Sequence, residues 1–182
     1  MAILPIITEP DPFLKRIAEP VTEVNDEIRR LIDDMAQSMY AAPGVGLAAP
    51  QVGRSIRLLV ADWGTRVDDE GNALPSDLVA LINPRLISGQ GECSVEEGCL
   101  SIPEFTVEIP RMAHIIVEAL DRNGEEIRLE LDDFPAIVIQ HEMDHLDGIT
   151  LLSRVSPLRR KMYLKKRKKA AIRKAEDADA QL

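Results

Sequence analysis

Residues 132–148 read DDFPAIVIQHEMDHLDG. The segment opens with two aspartates, which favour a helix N-terminus, and ends at Gly148, a residue typical of helix C-termini. Its apolar side chains are distributed around most of a helical circumference: Phe134, Ile137, Val138 and Ile139. An apolar residue on nearly every side is typical of a helix in the protein interior. We therefore expect a buried helix over residues 132–146.

Two histidines and a glutamate give this helix its chemistry. His141 and His145 are four residues apart, so both imidazoles lie on one face and can bind one cation. Glu142 follows the first histidine, a position from which a carboxylate can take a proton from an attacking water. A solvated helix face could carry the same pattern, but the apolar flanks argue against it because buried imidazoles need a partner. The motif predicts a catalytic metal site.

The third metal ligand must precede this helix in the sequence. No histidine follows His145, and residues 149–175 contain no Asp or Glu. Upstream, Cys99 lies in the segment EGCLS (97–101) and would complete a three-ligand set with one open position, as in catalytic zinc sites. An alternative remains: Cys93 could join Cys99 and the two histidines in a closed, structural zinc site. A buried thiol is the simpler interpretation of Cys93.

Turn and helix signals divide the rest of the chain into short elements. Asn25 precedes apolar residues at helical spacing, and Asn123-Gly124 is a strong hairpin turn. The expected elements are a short turn near 13–18, a helix over 25–41, a loop over 44–53, strands over 56–61 and 79–83 with a polar turn at 68–72 between them, hairpin strands over 114–120 and 126–131, and a last helix over 157–175. This order predicts an α+β fold, with mostly antiparallel strands around the buried helix and a basic helix at the C-terminus.

Length and charge bound the domain organisation. The chain has 182 residues, enough for one domain with its own core. No apolar run approaches the ~20 residues of a membrane span, and the N-terminus lacks signal-peptide features, so we expect a cytoplasmic protein without a membrane partner. Residues 1–157 carry 12 basic and 28 acidic side chains, whereas residues 158–175 carry ten basic and no acidic ones. We expect a catalytic domain over 1–157 and a basic helix or tail over 158–182, packed on the same domain through part of the face that carries Leu158, Met162, Leu164 and Ile172.

Three segments together resemble the peptide deformylases of the bacterial type. They are GVGLAAPQ (44–51), EGCLS (97–101) and HEMDH (141–145), and they occur in the order that the family shows. Read without the resemblance, the first segment is equally consistent with a tight packed turn. The resemblance implies a metal-dependent hydrolase that removes the N-formyl group from the initiator N-formylmethionine of nascent polypeptides and releases formate.

The resemblance also implies roles for individual residues. Cys99, His141 and His145 would hold the metal, and Glu142 would move the proton. The Gln51 side-chain amide and the Leu100 backbone N–H would stabilise the oxyanion. The methionine side chain would lie in a pocket formed by Val45, Gly46, Phe134, Ile137 and Val138. One departure from the family is that Phe105-Thr106 stands where many bacterial members carry an arginine.

Cofactor and partners follow from the same resemblance. We expect one Fe²⁺ per chain, with Zn²⁺ or another divalent ion after aerobic purification, and a monomeric enzyme. A basic segment of this kind is usually a solvated helix face. Because deformylases act on chains that leave the ribosome, the resemblance suggests that this segment contacts ribosomal RNA near the exit tunnel. A rival interpretation is an RNA-binding protein in which a metal only stabilises the fold.

Overall fold

The structure is a computed structural model that describes residues 2–64 and 78–179. Within these ranges the chain forms three α helices, α1 (Asp26–Ala41), α2 (Asp133–Leu146) and α3 (Pro157–Asp179). The strands are β1 (Gly46–Ala48), β2 (Leu58–Ala61), β3 (Val79–Gln90), β4 (Cys93–Gly98), β5 (Thr106–Arg111), β6 (His114–Leu120) and β7 (Glu126–Asp132). Short 3-10 helices span Pro12–Lys15, Ala49–Val52 and Leu151–Ser153. The polar turn expected at 68–72 lies outside the described residues.

The strands form two antiparallel sheets. Five of them make one sheet in the order β1-β2-β3-β6-β7, and β4 pairs with β5 in a separate two-stranded sheet. Antiparallel sheets combined with helices are the α+β class, which confirms the predicted class.

Helices α1 and α2 pack on opposite faces of the five-stranded sheet. Side chains alternate between the two faces of a strand, and β2 shows the result: Leu58 and Val60 join the cluster beneath α1, whereas Leu59 and Ala61 join the cluster beneath α2. All four side chains are fully buried. Helix α2 therefore packs closely against the sheet.

Local sequence explains the ends of both helices. The Asn25 side chain accepts hydrogen bonds from the N–H groups of Glu27 and Ile28, so α1 begins where the sequence predicts. After α2, Gly148 has φ +72°, and a Cβ there would lie 2.6 Å from the carbonyl oxygen of Lys15. Only glycine fits this backbone conformation and this close approach of the N-terminal arm.

Three segments differ from the sequence expectation. The expected loop at 44–53 contains β1 and a 3-10 helix, and β3 extends seven residues beyond the expected strand, to Gln90. Strands β4 and β5 were not expected, because the one buried residue of β4 is the charged Glu97 and β5 combines Pro110 with a buried Arg111, so neither strand shows a simple apolar alternation. Apolar pattern alone therefore misses the strand that leads to Cys99.

Helix α3 packs on the body mainly through Tyr163, which was not among the residues expected to form the contact. Tyr163 is buried with Ile102 and Phe105, and the Phe105 and Tyr163 rings meet edge to face with centroids 5.2 Å apart. Of the apolar residues thought to form the packing face, Leu164 contacts this cluster, but the others are exposed: Leu158, Met162 and Ile172. In the described part of the chain, no helix combines the length and apolarity that crossing a membrane requires.

Candidate metal centre

The three expected ligands converge although they come from two distant segments. Cys99 follows the end of β4, and His141 and His145 lie on one face of α2. One ligand atom from each residue lies within 4.8 Å of the other two, and Cys99 Sγ is 3.2 Å from His145 Nε2. A group of this size can close around a single ion.

Cys93 does not belong to this group. It lies at the opposite end of β4, paired with Arg111, and a strand of this length places it roughly 20 Å from the ligand cysteine. The closed four-ligand site is therefore wrong. The thiol is also only half-buried, so the expectation of a buried Cys93 is wrong as well.

Glu97 orients the first histidine. Its Oε2 lies 2.8 Å from His141 Nδ1, which leaves Nε2 of that ring to face a metal. Burial favours the neutral carboxyl form of Glu97, but hydrogen bonds from Arg111 and His141 outweigh it and hold its pKa at about 2. The group is thus a charged hydrogen-bond acceptor for the ring at neutral pH.

The two histidines respond differently to their surroundings. Burial and the neighbouring His141 hold the pKa of His145 well below its usual value, so its ring is neutral and able to bind a metal. Burial also disfavours protonated His141, but hydrogen bonds with Cys99 and Glu97 hold its pKa well above the usual value. Metal binding at this ring therefore displaces a proton.

The donor set and its surroundings fit a transition-metal ion. One thiol and two imidazoles are the ligands that Zn²⁺ and Fe²⁺ accept in proteins. The buried Glu142 Oε2 at the site has no hydrogen-bond partner among the described residues. Because buried polar atoms are nearly always paired, this pocket is built for groups that the chain itself does not supply.

Glu142 is held next to the backbone of β1. Its side chain is 4% exposed, and a Cβ on Gly46 would lie 2.5 Å from Oε1. Glycine at this position is therefore what allows the carboxylate to occupy its place. Burial raises the pKa of Glu142 to about 7, so the group can both accept and return a proton near neutral pH.

Gln51 presents its amide N–H groups towards the same centre. Its Oε1 accepts a hydrogen bond from the Ala48 N–H at 2.7 Å, which fixes the orientation of the amide. Its Nε2 donates to Ser101 Oγ at 3.1 Å and lies 3.7 Å from Cys99 Sγ. The 3-10 helix that carries Gln51 thus positions a donor beside the ligand cysteine.

A cleft of about 540 Å³ opens beside the ligands. Every residue expected to contact substrate lines it: Val45, Gly46, Leu100, Phe134, Ile137 and Val138. Ile137 and Val138 are buried, but Phe134 is 44% exposed at the cleft, so the expectation that this side chain is buried in the core is wrong. The volume is typical of small-ligand sites.

The sequence analysis assigned no role to three charged residues around the ligands, although Glu97 and Asp144 lie within the quoted segments. Glu97, Arg111 and Asp144 form ion pairs behind the histidines. The sequence of β5 did carry a signal, because Val107, Ile109 and Arg111 alternate along the strand and form its buried face. A positively charged side chain on the buried face of a strand indicates an internal ion pair.

Comparison with known proteins assigns the family. The family model for polypeptide deformylase matches residues 3–161. The chain belongs to this family. A deformylase relative from Thermodesulfovibrio yellowstonii is 47% identical over 166 residues, covering 91% of this chain and 97% of that protein.

Solved deformylase structures share the fold. The Ehrlichia chaffeensis deformylase, determined in complex with actinonin, superposes with a TM-score of 0.85 at 38% identity over 93% of this chain and 98% of that one. A class I type b deformylase from Acinetobacter baumannii, determined with Met-Ala-Ser bound, has a TM-score of 0.76 at 33% identity, covering 85% of this chain and 99% of that one. The present deformylase is therefore an enzyme that removes the N-formyl group from N-formylmethionyl peptides of nascent chains.

Proposed function

We propose that deformylation takes place at one divalent ion held by Cys99, His141 and His145, with Glu142 as the proton carrier. The observation that carries this proposal is the convergence of three ligand atoms within 4.8 Å beside a buried carboxylate oxygen without a partner. When bound, the ion supplies Lewis-acid polarisation of the formyl carbonyl and lowers the pKa of water.

Glu142 performs the proton transfers. Its carboxylate accepts the proton of the attacking water and then donates that proton to the α-amine that leaves as formate is released. The pKa of about 7 supports both directions of transfer at neutral pH. The nearby Gly46 backbone limits the carboxylate to a narrow position.

Gln51 and Leu100 stabilise the oxyanion. The Gln51 amide is buried and its orientation is fixed by the Ala48 N–H, so its Nε2 lies beside Cys99 as a donor for the developing oxyanion. The Leu100 N–H belongs to the residue directly after the ligand Cys99, and Leu100 lines the same cleft.

The apolar part of the cleft accepts the methionine side chain. Val45, Phe134, Ile137 and Val138 surround it, and the peptide backbone lies along Gly46. The A. baumannii relative was determined with Met-Ala-Ser, which is the product that deformylation of formyl-Met-Ala-Ser would give. That peptide is therefore the substrate of choice for the assays below.

The two cysteines provide a matched test of the ligand set. Cys99→Ser should lose the metal and the release of formate from formyl-Met-Ala-Ser, because serine is a poor ligand for a soft divalent ion. Cys93→Ser should keep one metal per chain and full activity, because this thiol lies at the other end of β4. Metal retention in Cys99→Ser, or metal loss in Cys93→Ser, would contradict the proposal.

Fe²⁺ is the proposed ion in cells. Intrinsic affinity favours zinc over ferrous iron at such a site, so iron would be replaced after exposure to air. Anaerobic purification with metal analysis should yield an iron enzyme that is more active than its zinc form. A zinc form of equal activity would overturn this assignment.

The basic face of α3 is the proposed contact with ribosomal RNA, and the enzyme is proposed to act as a monomer in the cytoplasm. Four exposed lysines lie on the helix away from the Tyr163 contact: Lys161, Lys165, Lys168 and Lys169. Changing all four to Glu keeps Tyr163 in place, whereas deletion of 158–182 removes it and uncovers the apolar cluster.

The variant with all four lysines changed should still release formate but should lose its salt-sensitive co-sedimentation with ribosomes. A control with Lys15, Arg30 and Arg54 changed to Glu, all exposed on the body, should still bind. Unchanged ribosome binding by the variant with all four lysines changed would refute the RNA contact.

A further inference from the structure

A chain of buried charges extends outward from His141, and Arg111 is at its centre. Arg111 Nε and Nη2 donate to the two carboxylate oxygens of Glu97 at 2.7 and 2.9 Å, and Nη1 donates to Asp144 Oδ2 at 2.6 Å. The Arg111 and Glu97 side chains are only 4% and 5% exposed. Because buried ion pairs incur a large desolvation penalty, their presence is weak evidence for a purely stabilising role.

A second arginine completes the chain. Arg154 Nε and Nη2 donate to Asp144 at 3.0 and 2.6 Å, so both oxygens of this carboxylate are engaged by guanidinium groups. The linked side chains come from β4, β5, α2 and the end of the 3-10 helix at 151–153. One network thus joins four elements around the metal centre.

We propose that Arg111 is a positioning residue for the metal centre: through Glu97 it fixes the ring of His141, and through Asp144 it holds α2 against the strand that leads to Cys99. This inference rests on the proposed ligand set and adds to it a residue that touches neither the metal nor the substrate.

The first part of the argument is the geometry at Glu97. Two parallel hydrogen bonds from one guanidinium fix both the position and the plane of a carboxylate. With that plane fixed, Oε2 stands 2.8 Å from His141 Nδ1 and accepts its N–H, so Nε2 is the ring atom left for the metal. Without Arg111 the carboxylate could rotate, and the ring would lose its orientation.

The second part is the location of the two carboxylates in the sequence. Glu97 precedes Cys99 by two residues, and Asp144 lies between the two histidines, directly before His145. A single side chain therefore joins the two segments that supply all three ligands. Any change in their separation would change the distances between the ligand atoms.

Cobalt(II) binding to metal-free protein tests the proposal without any turnover. The affinity is measured by competition with a chelator, and the thiolate-to-cobalt absorption reports ligand geometry. Arg111→Met should weaken cobalt binding about tenfold and change the spectrum, since loss of an outer partner of a ligand commonly costs 10–100-fold. Arg111→Lys should recover part of the affinity, because lysine keeps the charge but not the two-point contact.

Arg57→Met is the matched control. Arg57 also forms an ion pair at the end of α2, at 2.7 Å to Asp147, the residue directly after the helix, but that pair is not connected to a ligand. This variant should bind cobalt as the wild type does. If Arg111→Met does not fold, Arg154→Met replaces it, because this side chain is 37% exposed and its loss leaves the Arg111–Glu97 pair intact; that variant should bind cobalt about threefold more weakly.

The outcomes separate the network from the metal centre itself. The positioning role would be overturned if folded Arg111→Met bound cobalt with an affinity within twofold of wild type and gave an unchanged absorption spectrum. The same result in Arg154→Met would overturn it where that variant is the one used. So would an equal loss of affinity in Arg57→Met. Absence of cobalt binding by the wild type, or undiminished binding by Cys99→Ser, would instead overturn the ligand set.

Discussion

Replacement of Gln51 by leucine separates the stability of the cleft from its catalytic power. The Gln51 side chain is 1% exposed and uses both ends of its amide: Oε1 accepts from the Ala48 N–H, and Nε2 faces Ser101 and Cys99. Leucine has a similar volume and removes both functions. Two effects of different kind are therefore expected.

The effect on catalysis should be the larger one. Loss of one donor to an oxyanion lowers kcat by about 10²–10³, or about 3–4 kcal/mol of transition-state stabilisation. Loss of the acceptor removes a buried hydrogen bond from the Ala48 N–H and lowers the free energy of unfolding by about 0.5–1.5 kcal/mol. Metal content should stay at the wild-type level, because the ligand side chains are untouched.

Gln140→Leu is the matched control for the stability effect. Gln140 is also buried, and its amide bonds the Met112 backbone in both directions, but it does not line the cleft. This variant should lose similar unfolding free energy in urea while kcat for formyl-Met-Ala-Ser stays within about threefold of wild type. An unchanged kcat in Gln51→Leu, or an equal fall in both variants, would refute the oxyanion role.

Further predictions concern the neighbouring backbone and helix α3. Gly46→Ala would place a Cβ 2.5 Å from Glu142 Oε1, so formate release should fall at least about tenfold with an unchanged circular dichroism spectrum; retention of activity would show that the close approach is not needed. Tyr163→Ala should lower the free energy of unfolding by about 3 kcal/mol in urea, because it empties a buried site against Phe105. Met162→Ala, at a side chain that is 65% exposed, should change it by less than about 0.5 kcal/mol, and equal losses would contradict the packing of α3.

Sequence alone locates the ligands but not the framework that brings them together. The i, i+4 spacing of His141 and His145 places them on one helix face, and the absence of a later ligand directs attention upstream to Cys99. The distance between Cys99 and the helix depends on β4, a strand without apolar alternation because its one buried residue is the charged Glu97. That long-range contact is a property of the tertiary fold and is not contained in local pattern.

The same limit applies to α3 and to the charged network. Leu158 and Met162 fit a helical apolar stripe, yet the structure buries Tyr163 instead, because the apolar cluster around Ile102 faces that side of the helix. The role of Arg111 is apparent only in the tertiary structure, where Glu97 and Asp144 from two other elements form ion pairs with it. Local periodicity predicts which residues form a helix or strand, whereas partner choice depends on neighbours that are far away in sequence.

Formate release by Glu142→Ala tests the central claim most directly. The variant should hold one metal per chain, because Cys99, His141 and His145 remain, and it should keep its fold, because the change removes a buried carboxylate oxygen that has no partner. With formyl-Met-Ala-Ser the rate should fall by about 10²–10⁴, the usual contribution of a positioned acid and base. A metal-loaded Glu142→Ala protein that releases formate at the wild-type rate would contradict the account.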